Sequence, residues 1–165
     1  MVEMELIDVR VDQATNNPVA LLRTRDSEGE KRLLPIFIGV SEAQAIRIGL
    51  DGRATPRPMT HDLLGSVLDI LGAKLVRVVV TELRDNIFYA ELHLQRGSDA
   101  LIVSSRPSDA FALAVRTNAP VFASDELVAD HGIVEVTVDE DGNPEELVDE
   151  FRQFLDEINP DDFKS

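Results

Sequence analysis

One segment of this chain is echoed once, farther along. Ser41-Glu42-Ala43-Gln44-Ala45-Ile46 aligns with Ser108-Asp109-Ala110-Phe111-Ala112-Leu113, and the apolar run Leu34–Ile38 falls on Leu101–Ser105 at the same offset. Strand-like segments precede each copy, so the chain is expected to hold two β3-α2 units, about 3–72 and 73–138. Units of this kind bury their apolar faces together. The expected fold is therefore α+β, with a mainly antiparallel, curved sheet covered by helices, in one domain over residues 1–138.

Local signals place the elements. In Glu3–Asp12 the apolar positions change phase near Ile7-Asp8, which predicts a strand with a bulge. Asn16-Asn17-Pro18 turns the chain into a strand over Val19–Arg25, and Ser27-Glu28-Gly29-Glu30 turns it into a third over Arg32–Ile38. A helix from Ser41 to Leu50 would be capped by the Ser41-x-x-Gln44 pair. A second, capped by Thr60, would run to Leu71, with Leu63, Leu64, Val67, Leu68 and Leu71 as its core stripe and Gly72 as its left-handed end. The second half is expected to show strands over Leu75–Leu83, Ile87–Leu94 and Ala100–Ser104. A helix from Pro107 to about Thr117, capped by Asn118, follows, and then a shorter one over Asp125–Asp130 capped by Ser124. His93 alternates with Leu92 and Leu94 and reads as a structural side chain on the opposite face.

Charge sharpens the picture at the C-terminal end. The net charge is −15, of which residues 139–165 carry −9 with 11 acids and 2 bases. Within that segment Leu147, Val148, Phe151, Phe154, Leu155 and Ile158 fall at helical spacing. An amphipathic, acidic helix over Glu145–Ile158 is expected, docked on the body or on a second subunit, so a homo-oligomer is expected too. The chain has no cysteine, which excludes disulfides, thiolate nucleophiles and cysteine-bound metals. No secretion signal and no run long enough to span a bilayer are read, so a cytoplasmic protein without membrane contact is expected.

Two helix starts carry the chemistry. Arg57-Pro58-Met59-Thr60-His61-Asp62 sets a guanidinium, an imidazole and a carboxylate around one. Ser105-Arg106-Pro107-Ser108-Asp109 sets an arginine and a carboxylate around the other. Helix N-termini attract phosphate through free N–H groups, and arginine adds a bidentate fork. Nearby carboxylates can hold a hard divalent cation. Acids at such positions also compensate the helix dipole without any further role. A Walker loop, a GxGxxG, a G-x-S-x-G elbow and an HExxH are all absent.

Leu34–Ile46 (LPIFIGVSEAQAI), Arg57–Leu63 (RPMTHDL), Ser105–Ala114 (SRPSDAFALA) and Thr117–Val121 (TNAPV) together resemble the bifunctional nuclease domain family, in order and spacing, over roughly residues 3–135. The resemblance implies a duplicated α+β domain and cleavage of both DNA and RNA. The matching positions are Glu42, Pro58, Thr60, His61, Asp62, Arg106, Pro107, Ser108 and Asp109. The expected function is thus a nuclease of low sequence specificity on single-stranded nucleic acid. His61, Asp62, Arg106 and Asp109 would be its reacting groups, and Arg57, Thr60 and Ser108 its substrate contacts. Glu42, Asp62 and Asp109 would hold Mg²⁺ or Mn²⁺. The competing expectation is a non-enzymatic binding or regulatory module that uses the arginine-bearing helix N-termini to hold an anion or a protein partner. The anionic charge and the eight aromatic residues in all favour that alternative.

Overall fold

The strands of both halves join a single open sheet. The computed structural model describes residues 1–13, 15–25, 30–53 and 55–135. Among these the first half runs β1 (Val2–Val11), β2 (Pro18–Thr24), β3 (Arg32–Phe37), α1 (Val40–Leu50) and α2 (Thr60–Ile70). The second runs β4 (Ala73–Arg84), β5 (Ile87–Arg96), β6 (Asp99–Ser105), α3 (Pro107–Thr117), β7 (Val121–Ala123), α4 (Asp125–His131) and β8 (Ile133–Val134). The strand order is β6-β5-β4-β7-β1-β2-β3-β8, with β4–β7 parallel and the other pairs antiparallel. The α+β class and the mainly antiparallel sheet agree with the sequence reading. The halves share the order β-β-β-α and then diverge, because β7 enters before α4. Glu145–Ile158 lies outside the described residues.

Register follows from local chemistry. The β1–β2 pairing shifts between Leu6 and Asp8, where the apolar phase changes in sequence. Asp85 and Asn86 both take positive φ, 51° and 60°, and close the β4–β5 hairpin in the conformation that matches strand twist. On β5, Ala90, Leu92 and Leu94 point into the core. His93 lies on the other face, between Arg77 (Nδ1 to Nη2, 3.5 Å) and Glu91 (Nε2 to Oε2, 3.1 Å).

The core lies between the sheet and α3. Phe111, Leu113, Leu22, Leu34, Ile36, Ile46, Val78 and Val80 are fully buried, each side chain contributing about 1.5–3 kcal/mol of transfer free energy. α3 is buried from Pro107 to Ala114 except at Asp109, because its Ala-rich surface lets α1 and the sheet approach closely. Pro107 opens it and Asn118, at φ 54°, closes it. Ser124 Oγ accepts the Leu127 N–H at 3.1 Å and caps α4.

Three expectations are corrected. α1 begins one residue before Ser41 with Gly39 as its N-cap, and no side-chain cap bond forms there, so Ser41 and Gln44 make no capping box. In α2 the cap is Met59, and Thr60 is the first helical residue. The bond found there runs from the Met59 N–H to Asp62 Oδ2 at 2.9 Å, so the acid three residues on satisfies the N–H of the cap residue itself, a different donor from the one a threonine cap would have met. The α2 stripe is not core either. Leu63, Leu64, Val67 and Leu71 are exposed and Leu68 alone of the five packs against the core. Gly72 does take the left-handed conformation, at φ 68°.

Candidate functional site

Topology brings three helix starts together. Glu42 is the third residue of α1, His61 and Asp62 are the second and third of α2, and Asp109 is the third of α3. The echoed acids Glu42 and Asp109 flank one guanidinium. Arg106 Nε donates to Asp109 Oδ2 at 2.7 Å and its Nη2 to Asp109 Oδ1 at 3.2 Å, while Nη1 lies 3.1 Å from Glu42 Oε1. His61 Nε2 lies 3.2 Å from Asp109 Oδ1. Four side chains from three helices thus form one connected group. Gly39 makes room for it, since a Cβ at that position would collide with the Glu42 carboxylate.

Asp62 belongs to a different network. Its Oδ1 accepts from Arg116 Nε and its Oδ2 from the Met59 N–H. Arg116, 10% exposed, also donates through Nη1 to the carbonyls of Ala112 (2.7 Å) and Ala45 (3.0 Å). Its Nη2 is the one buried side-chain polar atom without a partner among the described residues. Arg116 thereby ties α1, α2 and α3 together through a buried charge, and Asp62 is its counter-ion.

The remaining expected contacts differ in exposure. Arg57 sits in the exposed loop before α2, where its carbonyl accepts from Thr55 Oγ1 at 2.7 Å. Thr60 is exposed on the first turn of α2. Ser108 is 6% exposed, packed under the start of α3. Sequence reasoning missed Arg116. The available signal was an arginine seven residues after Asp109, on the stripe of α3 that the buried alanines mark.

As arranged, the carboxylates do not make a common metal site. Among the described residues no three histidine, aspartate or glutamate side chains are grouped to hold an ion. Arg106 neutralises Glu42 and Asp109, and Arg116 neutralises Asp62. The cationic partner of each acid is a guanidinium.

Those pairings set the acidities. Burial pushes the Asp109 carboxyl up, but hydrogen bonds from Arg106 and His61 outweigh it and leave the group below the ordinary 3.8. The Met59 N–H, then Arg116, hold Asp62 below the same value. A carboxyl depressed on folding stabilises the fold above its unfolded pKa of about 3.9 and loses that contribution as pH falls through the folded value. Stability in urea is therefore expected to hold down to about pH 4 and to fall below it. Asp62→Asn should flatten the fall; an acid limb equal to that of wild type would show that Asp62 contributes none of it.

Residues 20–136 match the bifunctional nuclease domain. The chain belongs to that family. The bifunctional nuclease domain thus runs from within β2 through β8, with the four described helices and every residue of the Glu42–His61–Arg106–Asp109 group. An uncharacterized protein of Mycobacterium tuberculosis, in two strains, is 38% identical over 169 aligned residues, covering 100% of this chain and 99% of its own length. Bifunctional nuclease 2 of Oryza sativa subsp. japonica is 25% identical over 126 residues, covering 74% of this chain and 38% of the plant protein. Its Arabidopsis thaliana namesake is 25% identical over 119 residues, covering 70% and 36%. No helix among the described residues is long and apolar enough to cross a membrane.

Proposed function

We propose that this chain is a nuclease, hydrolysing phosphodiester bonds of DNA and RNA with low sequence specificity, single strands being the favoured substrate. The observation that carries the reading is the joining of three helix N-termini through Glu42, His61, Arg106 and Asp109. Helix N-termini turn partial positive charge toward one spot, and a phosphate suits it. Arg106 is 66% exposed, so its fork can leave the carboxylates for a phosphate and offset charge as it develops. His61 is the proton-transfer group. Asp109 orients its ring through Nε2, leaving Nδ1 as the nitrogen to take a proton from water or return one to the leaving oxygen. Phosphate contacts read no base edge, which accounts for low specificity. Assistance by Mg²⁺ or Mn²⁺ belongs to the same proposal, and would draw on Glu42 and Asp109 once Arg106 has moved onto the phosphate.

The internal pairing of every acid in the site favours a second reading, a non-enzymatic module in which these groups only lock the helices. One assay separates the two. Purified, tag-free protein is incubated with labelled single-stranded DNA and RNA, with Mg²⁺, with Mn²⁺ and with a chelator. Cleavage of both polymers is expected in at least one condition. No cleavage and no salt-sensitive binding in any of them supports the second reading and removes the first.

A further inference from the structure

The inner face of the sheet carries apolar rows that cross the strands. Leu75, Leu94 and Leu101 stand opposite one another on β4, β5 and β6, and Val78, Leu92 and Val103 form the next row. Exposure rises toward the edge. Leu92 and Leu94 are each 8% exposed, Leu101 is 38% and Val103 45%. The core thus continues onto β6 past the reach of the described helices that cover it on β4 and β5. β6 is also an edge strand, paired with β5 on one side and with no strand among the described residues on the other. Ile102, on its opposite face, is 60% exposed. Edge strands of soluble proteins are blunted by lysine, proline, inward charge or a bulge. Ala100–Ser105 contains none of these residues and pairs with β5 without a register shift.

We propose that β6 pairs antiparallel with β6 of a second copy of this chain, about a two-fold axis at Ile102. The charge pattern makes the strand complementary to itself in the antiparallel sense. The strand opens with Asp99, is uncharged from Ala100 to Ser105, and is followed by Arg106. Antiparallel pairing sets the Asp99 end of each copy beside the Arg106 end of the other, whereas parallel pairing would set like charge on like. The uncharged centre also lets two chains of net charge −15 meet without opposing acids. Leu101 then faces Val103 of the second copy, and Ala100 faces Ser104. Seven paired residues per side are fewer than the roughly 20–30 of a standard interface, so the dimer forms in a concentration-dependent way. The pairing brings Asp99 of the second copy near Arg106, which also holds Glu42 and Asp109, so it is tested by mass and cross-linking rather than by cleavage.

Light scattering of the full chain from micromolar to near-millimolar protein is expected to show the mass rising from 18.2 kDa toward twice that value. Ile102→Lys, at an exposed position, should stay monomeric throughout with an unchanged circular-dichroism spectrum. Facing Cα atoms of an antiparallel pair lie about 4.5–5.5 Å apart, within the reach of a disulfide. In this cysteine-free chain Ile102→Cys should therefore give a covalent dimer on mild oxidation. Ile87→Cys, equally accessible at the far end of β5, should not. A wild type that stays monomeric at every concentration would leave the edge to a foreign strand and overturn the proposal. So would a dimer that Ile102→Lys leaves intact, or cross-linking no faster at position 102 than at 87.

Discussion

His61→Ala is expected to lower the rate of phosphodiester cleavage by about 10²–10⁴-fold, the range for losing one positioned acid–base group. The ring is 12% exposed and held 3.2 Å from Asp109. Its truncation removes the imidazole and leaves Asp109 its two bonds from Arg106. The fold should therefore survive, and the urea midpoint should shift by less than the rate does. Asp109→Asn makes the companion test. The amide keeps the shape of the carboxyl but has one acceptor oxygen and no charge, so it cannot serve both the Arg106 fork and the His61 ring. A comparable fall in rate is expected, with the two changes together costing little more than either alone, because the groups act as a unit. Cleavage by both variants at the wild-type rate would assign the activity to a contaminant and end the reading.

Much of this fold was legible in the sequence, for physical reasons that also mark where legibility stops. Alternation fixed β5, since a period of two leaves Ala90, Leu92 and Leu94 on one side whatever the tertiary context. The phase change at Ile7-Asp8 exposed the β1 bulge in the same way. The stripe of α2 misled because periodicity reports that an apolar face exists, not what covers it. Leu63, Leu64, Val67 and Leu71 have the right spacing and no neighbour among the described residues that buries them. Caps failed by two residues at Ser41 and by one at Thr60, where the true caps, Gly39 and Met59, have no side-chain hydroxyl to announce them. β7 is three residues long and takes its place by pairing β1 with β4, a contact that local pattern cannot encode.

The candidate site divides along the same line. Residue types at two helix starts pointed to phosphate chemistry, and the pairing of His61 with Asp109 joined those starts in space. Which acid sat with which base was out of reach, because it depends on how the helices cross. Asp62 follows His61 in sequence yet faces Arg116, about two turns along α3 from the Asp109 that holds its neighbour. Glu42, near no other candidate in sequence, meets Arg106 because α1 and α3 pack side by side.

Arg116→Ala should be the most damaging of these substitutions for stability, lowering it by about 3 kcal/mol, the low end for breaking a buried charge pair. The low end applies because Asp62 is 33% exposed and can regain water when its partner goes. The loss should exceed that of Asp62→Asn, which leaves Arg116 its two carbonyl partners. Arg116→Lys should recover part of it, since an ammonium can meet one of the three acceptors but not fork across all of them. Gly49 supplies an independent check on the same contact. A Cβ there would lie 2.8 Å from Arg116 Nη1 and 2.5 Å from Val115 Cγ2, so Gly49→Ala should cost about 1–3 kcal/mol through overpacking. In the Arg116→Ala background the part of that cost due to the guanidinium disappears, so the double variant should be less destabilised than the sum of the two. Urea midpoints at neutral pH measure all of these. Strict additivity, or an Arg116→Ala variant within about 0.5 kcal/mol of wild type, the range of ordinary surface changes, would mean that this arginine does not hold the three helices together.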